Sequence, residues 1–180
     1  MGQTFVRVSA DCKASAAIVF FAVCILGCAV AECFGSSIEN WLDGQAISKQ
    51  ILEAHNRIRH SHGVEPLAWS DDLASYAKPW ADRLASEGRL YHHPKPKYGE
   101  NLYLISGGAA SADEVVASWE SESTDYDYRS NSCRSRCGHY TQIVWRDSKQ
   151  LGCAVGRSGK TEVWVCEYNP PGNVIGERPY

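Results

Sequence analysis

The strongest constraint on the fold is a pair of cysteines placed symmetrically about a turn. Leu151 to Gly156 and Thr161 to Tyr168 flank Ser158-Gly159-Lys160, and the second arm alternates apolar and polar residues. A two-residue turn at Gly159-Lys160, with glycine first, has type II′ geometry and sets Cys153 directly opposite Cys166. Facing cross-strand positions have Cα separations that a disulfide can bridge, so the spacing predicts a hairpin stapled by Cys153 and Cys166. Cys133 and Cys137, four apart, can close a second, small loop just before Gly138-His139-Tyr140-Thr141-Gln142-Ile143-Val144-Trp145.

Bridges of this kind imply an oxidising compartment. The chain has 180 residues and eight cysteines, with no CxxC pair of the zinc-knuckle or redox type. Arg7 and Lys13 precede the apolar run Ala16 to Val30, and Ala29-Val30-Ala31 forms a small-x-small cleavage site before Glu32. This predicts a secretory signal peptide over 1–31 and a secreted, extracellular product; the alternative reading is an uncleaved signal anchor. The run falls short of the roughly 20 residues of a bilayer span, so no stable membrane span is expected after cleavage. Cleavage leaves five cysteines, an odd number, and Cys33 then stands ready for a disulfide with another chain. The formal net charge of -3 and the lack of a long basic run give no electrostatic case for nucleic acid or an anionic membrane surface.

Residues 32–46 lack periodicity and read as a short tether, followed by one domain over 47–180, for which a hydrophobic content of 44% is adequate. Ile51, Ala54, His55 and Ile58 mark one face of a helix ending before Gly63, with His55 read as a satisfied core histidine. A second helix is capped by Ser70, buries Leu73, Tyr76, Ala77, Trp80 and Leu84, and stops at Gly88, with a kink or split expected at Pro79. A third opens on a capping box, Ser111 and Glu114, and carries Val115, Trp119 and Glu122 on one face. A carboxylate on a buried face needs a partner, so Glu122 is singled out. His139, set among large apolar side chains, is either a core residue with both ring nitrogens satisfied or a ligand. Pro170 to Tyr180, with prolines at both ends and two glycines, reads as a poorly structured tail.

GHYTQIVW, Tyr98-Gly99-Glu100-Asn101-Leu102-Tyr103, Trp119-Glu120-Ser121-Glu122 and Cys166-Glu167-Tyr168-Asn169-Pro170-Pro171-Gly172-Asn173 together resemble the CAP superfamily: cysteine-rich secretory proteins, antigen 5 and plant class 1 pathogenesis-related proteins. The ending is most similar to the plant proteins. The resemblance implies an α+β fold, a three-layer α-β-α sandwich around an antiparallel sheet. It places the family's cavity tetrad on His92, Glu100, Glu122 and His139, with the adjacent His93 as the alternative to His92. Two imidazoles and two carboxylates suit a divalent metal, zinc first, in a four-coordinate site; the other reading is a metal-free hydrogen-bonded cluster. The resemblance further implies a secreted, non-enzymatic role in defence or extracellular signalling, with sterol or fatty acid as ligands. The chain has no HExxH or GxSxG, and a metal-dependent hydrolase is the competing reading. Plant relatives release an eleven-residue peptide of the form PxGNxxxxxPY, and the matching cut here lies between Asn169 and Pro170. The chain departs from the plant pattern in lacking both cysteines of the usual third disulfide and in carrying Glu167 where that pattern has asparagine.

Overall fold

The computed structural model describes the backbone of residues 29–180 and the side chains from residue 44 onward. Residues 1–28, and with them the signal-peptide reading, lie outside the described residues, as does the side chain of Cys33. Helix α1 is Ala29–Ser61, so the stretch 32–46 expected as a tether is helical. Periodicity reports a buried face, whereas a proline-free stretch can hold a helix on local propensity without showing one.

The compact unit Glu39–Tyr180 has six strands, of which β3 (Tyr126–Asp127) and β4 (Ser132–Cys133) form a small antiparallel pair and the other four form the main sheet, whose order is β1-β5-β6-β2. Those four are β1 (Ala68–Trp69), β2 (Gly99–Ser106), β5 (Gln150–Ser158) and β6 (Thr161–Asn169), antiparallel except where β1 runs parallel to β5. Helix α2 (Asp71–Glu87) covers one face: Ala77, Trp80, Ala81 and Leu84 pack on Leu102, Ala154, Val163 and Val165. On the other face α1, α3 (Ala112–Glu120) and α4 (Gly138–Ile143) bring Ile51, Ile58, Val115, Trp119 and Ile143 against Leu151, Trp164 and Tyr168. The result is the three-layer α-β-α sandwich expected, and each layer follows from an amphipathic pattern. α2 lies so close to β5 that a Cβ on Gly156 would fall 2.1 Å from the carbonyl oxygen of Ala81.

The hairpin has the predicted register, with Cys153 opposite Cys166 and the two bonded. Gly159 has φ 56° and Lys160 stays out of the left-handed region, as a type II′ turn requires. By chain entropy this bridge is worth about 3 kcal/mol and the shorter Cys133–Cys137 loop about 2. Ser70 and Gly88 cap α2, and the capping box of α3 is complete. Pro79 does not split its helix, which continues unbroken from Asp71 to Glu87. Pro79 is exposed, so water can satisfy the carbonyl it leaves without a partner. Tyr76 is half-buried rather than buried.

Two features join the layers. Arg59 of α1 is wholly buried, and its guanidinium donates to the carbonyls of Glu65, Ile143, Trp145 and Ser148 at 2.7–3.1 Å. The tail Pro170–Tyr180 forms neither helix nor strand, as expected, yet it is held along its length. Gly172 N–H donates to Gln142, Thr141 hydroxyl to Asn173, Asn131 amide to the Glu177 carbonyl, and Arg146 N–H to the Pro179 carbonyl. The Tyr180 ring stacks on Tyr128 at 4.9 Å, and its hydroxyl meets that of Tyr140 at 3.0 Å. Tyr126 and Tyr128 thus serve as packing partners in this aromatic cluster.

Candidate functional site

Four segments converge at the β2 side of the sheet. Glu100 lies on β2, directly opposite Glu167 of β6. The loop before β2 supplies His92, whose Nδ1 lies 2.6 Å from Glu100 Oε1; the His93 N–H donates to the same oxygen at 3.1 Å. The His93 ring turns away to Trp80 and Tyr76, with centroids at 4.9 and 5.8 Å, and its Nδ1 engages Lys95. Geometry therefore selects His92 over His93 as the cleft histidine. The carboxylate of Glu100 raises the imidazole pKa of His92 by hydrogen bonding to its charged form.

The second pair has the same design. Glu122 sits in a single 3-10 turn, Ser121–Asp125, that follows α3. Its Oε1 meets His139 Nδ1 at 2.7 Å, and its Oε2 accepts the His139 N–H at 2.9 Å. The partner that burial demanded for Glu122 is therefore His139. The Trp119 indole lies parallel to the His139 ring at 6.0 Å and fixes it from one side. The Cys133–Cys137 bridge ends at the N-cap of α4, two residues before His139, and so anchors the start of that helix.

His92, Glu100 and His139 line one cleft of about 450 Å³ with Asn101, Arg136 and Asn173. The cleft's His92 and Glu100 form one His–Glu pair, and its His139 forms a second with Glu122 behind it, each carboxylate being engaged by an imidazole Nδ1. Among the described residues no three His, Cys, Asp or Glu side chains lie close enough together to enclose an ion. The arrangement does match the way ligating histidines are usually supported: the ring nitrogen remote from the metal is held by a carboxylate, which fixes the tautomer and leaves Nε2 free. Among the described residues neither Nε2 has a hydrogen-bond partner in the protein. Each pair thus presents one imidazole Nε2 that could serve as a metal donor.

A family model described as the cysteine-rich secretory protein family, CAP, matches residues 52–168. The chain belongs to the CAP family. Pathogenesis-related protein 1 of Arabidopsis thaliana is 42% identical over 140 residues, covering 77% of this chain and 86% of the relative. Pathogenesis-related protein 1A of Nicotiana tabacum is 45% identical over 139 residues, covering 76% and 82%. Among solved structures, the Schistosoma mansoni venom allergen-like protein 4 matches with a TM-score of 0.61 at 23% identity, covering 74% of this chain and 92% of that one. NaASP2 with Zn2+ matches with the same TM-score and identity, covering 74% and 84%. These two bear on the fold alone.

Behind the cleft of this CAP domain runs a relay that sequence reasoning missed. Asn101 Nδ2 donates to the His139 carbonyl at 3.0 Å and to the Tyr168 hydroxyl at 3.1 Å; that hydroxyl donates to His55 Nε2 at 2.7 Å, and His55 Nδ1–H donates to the Ile51 carbonyl at 2.8 Å. His55 is the satisfied core histidine expected. The signal for Asn101 was present: in an alternating strand it faces opposite to Glu100, on the side that buries Trp119.

Burial lowers the pKa of His55 to about 4, so the folded protein holds it neutral. The unfolded chain titrates near 6.5, so between these values it binds the proton that the folded state refuses. Stability contributed by the neutral form is complete above pH 6.5 and is lost as pH falls towards 4, by up to about 3 kcal/mol. The lead in urea midpoint of the wild type over His55→Gln, followed from pH 7 to 4, should shrink accordingly, because the variant lacks this proton linkage. An equal slope in that variant would contradict this origin.

Proposed function

We propose that this CAP protein acts outside the cell as a non-enzymatic binding protein in defence, with the His92–His139 cleft as its ligand site. The relatives are pathogenesis-related proteins, which supports the defence role, and two disulfides within the domain suit an extracellular setting. The observation that carries the reading is the chemistry of the cleft. Both imidazoles spend Nδ1 on carboxylates, and neither touches a serine, threonine or cysteine side chain among the described residues. The four cysteines 133, 137, 153 and 166 are all bridged, so none of them supplies a thiolate.

His92 and His139 would hold a divalent metal, zinc by preference, through Nε2, with Glu100 and Glu122 as orienting groups and solvent completing the shell. Such an ion would supply Lewis acidity to a bound ligand. The chain's own contribution is to fix both rings and, through Arg136 and Asn173, to offer a cation and an amide at the rim. Sterol or fatty acid is the ligand class that family membership supports.

The experiment is zinc content by elemental analysis of the folded protein beside His139→Ala, with sterol solubilisation and turnover of peptide and ester substrates followed with and without chelator. Wild type should take up zinc and His139→Ala should lose it, by at least about 10-fold in affinity, while keeping its circular dichroism. Stoichiometric zinc in the variant would remove the metal assignment. Sterol retention no greater than that of an unrelated secreted protein would remove lipid binding. Chelator-sensitive turnover would replace the reading with a metal-dependent hydrolase.

A further inference from the structure

A second cavity, of about 890 Å³, shares no lining residue with the His/Glu cleft. It opens along the β5 edge of the sheet, between the Gly44–Ser48 stretch of α1 and the outer side of α2. Strand β1 covers only the beginning of that edge, pairing Ala68 with Gln150 and Trp69 with Leu151. The bonds there fix which way β5 faces. Ala68 N–H donates to the Lys149 carbonyl at 2.9 Å and Ser70 N–H to the Leu151 carbonyl at 2.8 Å, so the backbone of Leu151 is directed outward, away from β6. A strand alternates with a period of two, so Cys153, Val155 and Arg157 aim their N–H and C=O groups at the same edge. Among the described residues none of the three finds a backbone partner there. All three line the cavity.

We propose that this groove is a docking site for an extended segment of a partner polypeptide, which adds to the sheet as a strand along Cys153–Arg157. Three successive outward N–H and C=O pairs, repeating at about 6.6 Å, are complementary to another peptide backbone and to no lipid or small anion. β1 shows that the edge accepts a strand. Lys78 is paired with Asp82 and Arg157 with Glu162, while Asp71 on the rim meets only the Trp69 indole N–H, so the groove disfavours an acidic segment. Ile47, Trp69 and Val155 are half-buried and apolar, so the segment that fits carries apolar side chains at alternate positions. Natural edges are normally short, charged or covered, and among the described residues no strand pairs with this one over the five residues Cys153–Arg157.

The test probes arrays of synthetic hexapeptides, acetylated and amidated, with the folded, disulfide-bonded protein. Peptides of alternating apolar pattern should be retained, and N-methylation of their backbone amides should abolish retention at every second position only. Val155→Pro should weaken binding at least about 10-fold, because it deletes an outward N–H while leaving the bonds to β6 in place, where an edge strand tolerates proline. The N-methyl series uses the wild-type protein and decides the matter should that variant fold poorly. Retention no greater than by an unrelated disulfide-bonded protein, indifference to N-methylation, or occupation of the edge by a second copy of the chain would overturn the proposal.

Discussion

Arg59→Met should destabilise the protein by about 4 kcal/mol or more, the largest effect expected of any single substitution here. The guanidinium is wholly buried and meets no carboxylate; four main-chain carbonyls from two connecting segments, Glu65 and Ile143 to Ser148, accept its protons. Burial lowers its pKa to about 10, so it stays charged at neutral pH. Hydrogen bonds from a charged donor are worth about 1.5–3 kcal/mol each, and methionine would leave the Glu65, Ile143 and Ser148 carbonyls without a partner in a dry interior, the Trp145 carbonyl keeping only the Ser148 N–H. Arg59→Lys should recover only part of the loss, since an ammonium cannot reach the same fork of carbonyls. Urea unfolding with an unchanged m-value reads the difference, and a loss under about 1.5 kcal/mol would show that water reaches the carbonyls.

Glu167→Gln should work in the opposite direction and only at higher pH. Glu167 is 2% exposed, its Oε1 has no hydrogen-bond partner, and it faces Glu100 across the β2–β6 ladder. Burial, then repulsion from Glu100, push its carboxyl up to about 8. The unfolded carboxyl titrates near 4.5, so from there to 8 the folded state holds a proton that the unfolded chain has released. Stability is therefore undiminished below pH 4.5 and falls as pH rises through 8, by on the order of 4 kcal/mol. The amide keeps the shape of the acid, has no charge to bury and can donate to Glu100. Midpoints for variant and wild type should nearly coincide at pH 4.5 and diverge by pH 8.5, with the variant ahead. A constant gap at both values would assign the effect to packing. His55 erodes stability as pH falls below 6.5 and Glu167 erodes it as pH rises above 4.5, so the two slopes oppose each other between these values and the wild type should hold a plateau of greatest stability there.

Much of the fold was legible because its elements obey strong local rules. The hairpin register followed from cysteine spacing and one turn, α2 from its caps and stripe, and α3 from its capping box. The start of α1 was not, since residues 32–46 show no periodicity to read. The candidate site was legible as a set of residues through motif resemblance, but its wiring was not. Sequence order cannot show that Glu100 and Glu122 each engage an imidazole through its Nδ1. The choice of His92 over His93 depends on the Pro94–Pro96 loop, whose path no local rule dictates. Arg59 escaped notice for a different reason: an arginine on a helix reads as solvated until tertiary structure brings carbonyls to it.

The anchored tail bears on how a protease would meet this molecule. A cut between Asn169 and Pro170 falls at the end of β6, where Asn169 pairs with Gln150 and the Pro170 carbonyl accepts from the Ser148 hydroxyl. A protease needs an extended, accessible stretch of chain, so the bond is shielded until this end of the strand opens. Cleavage should then proceed at the enzyme's rate multiplied by the small open fraction, and Tyr180→Ala, which removes the stacking on Tyr128, should accelerate it without changing the scissile residues. In that sense the C-terminal aromatic cluster is a latch whose strength sets a clock.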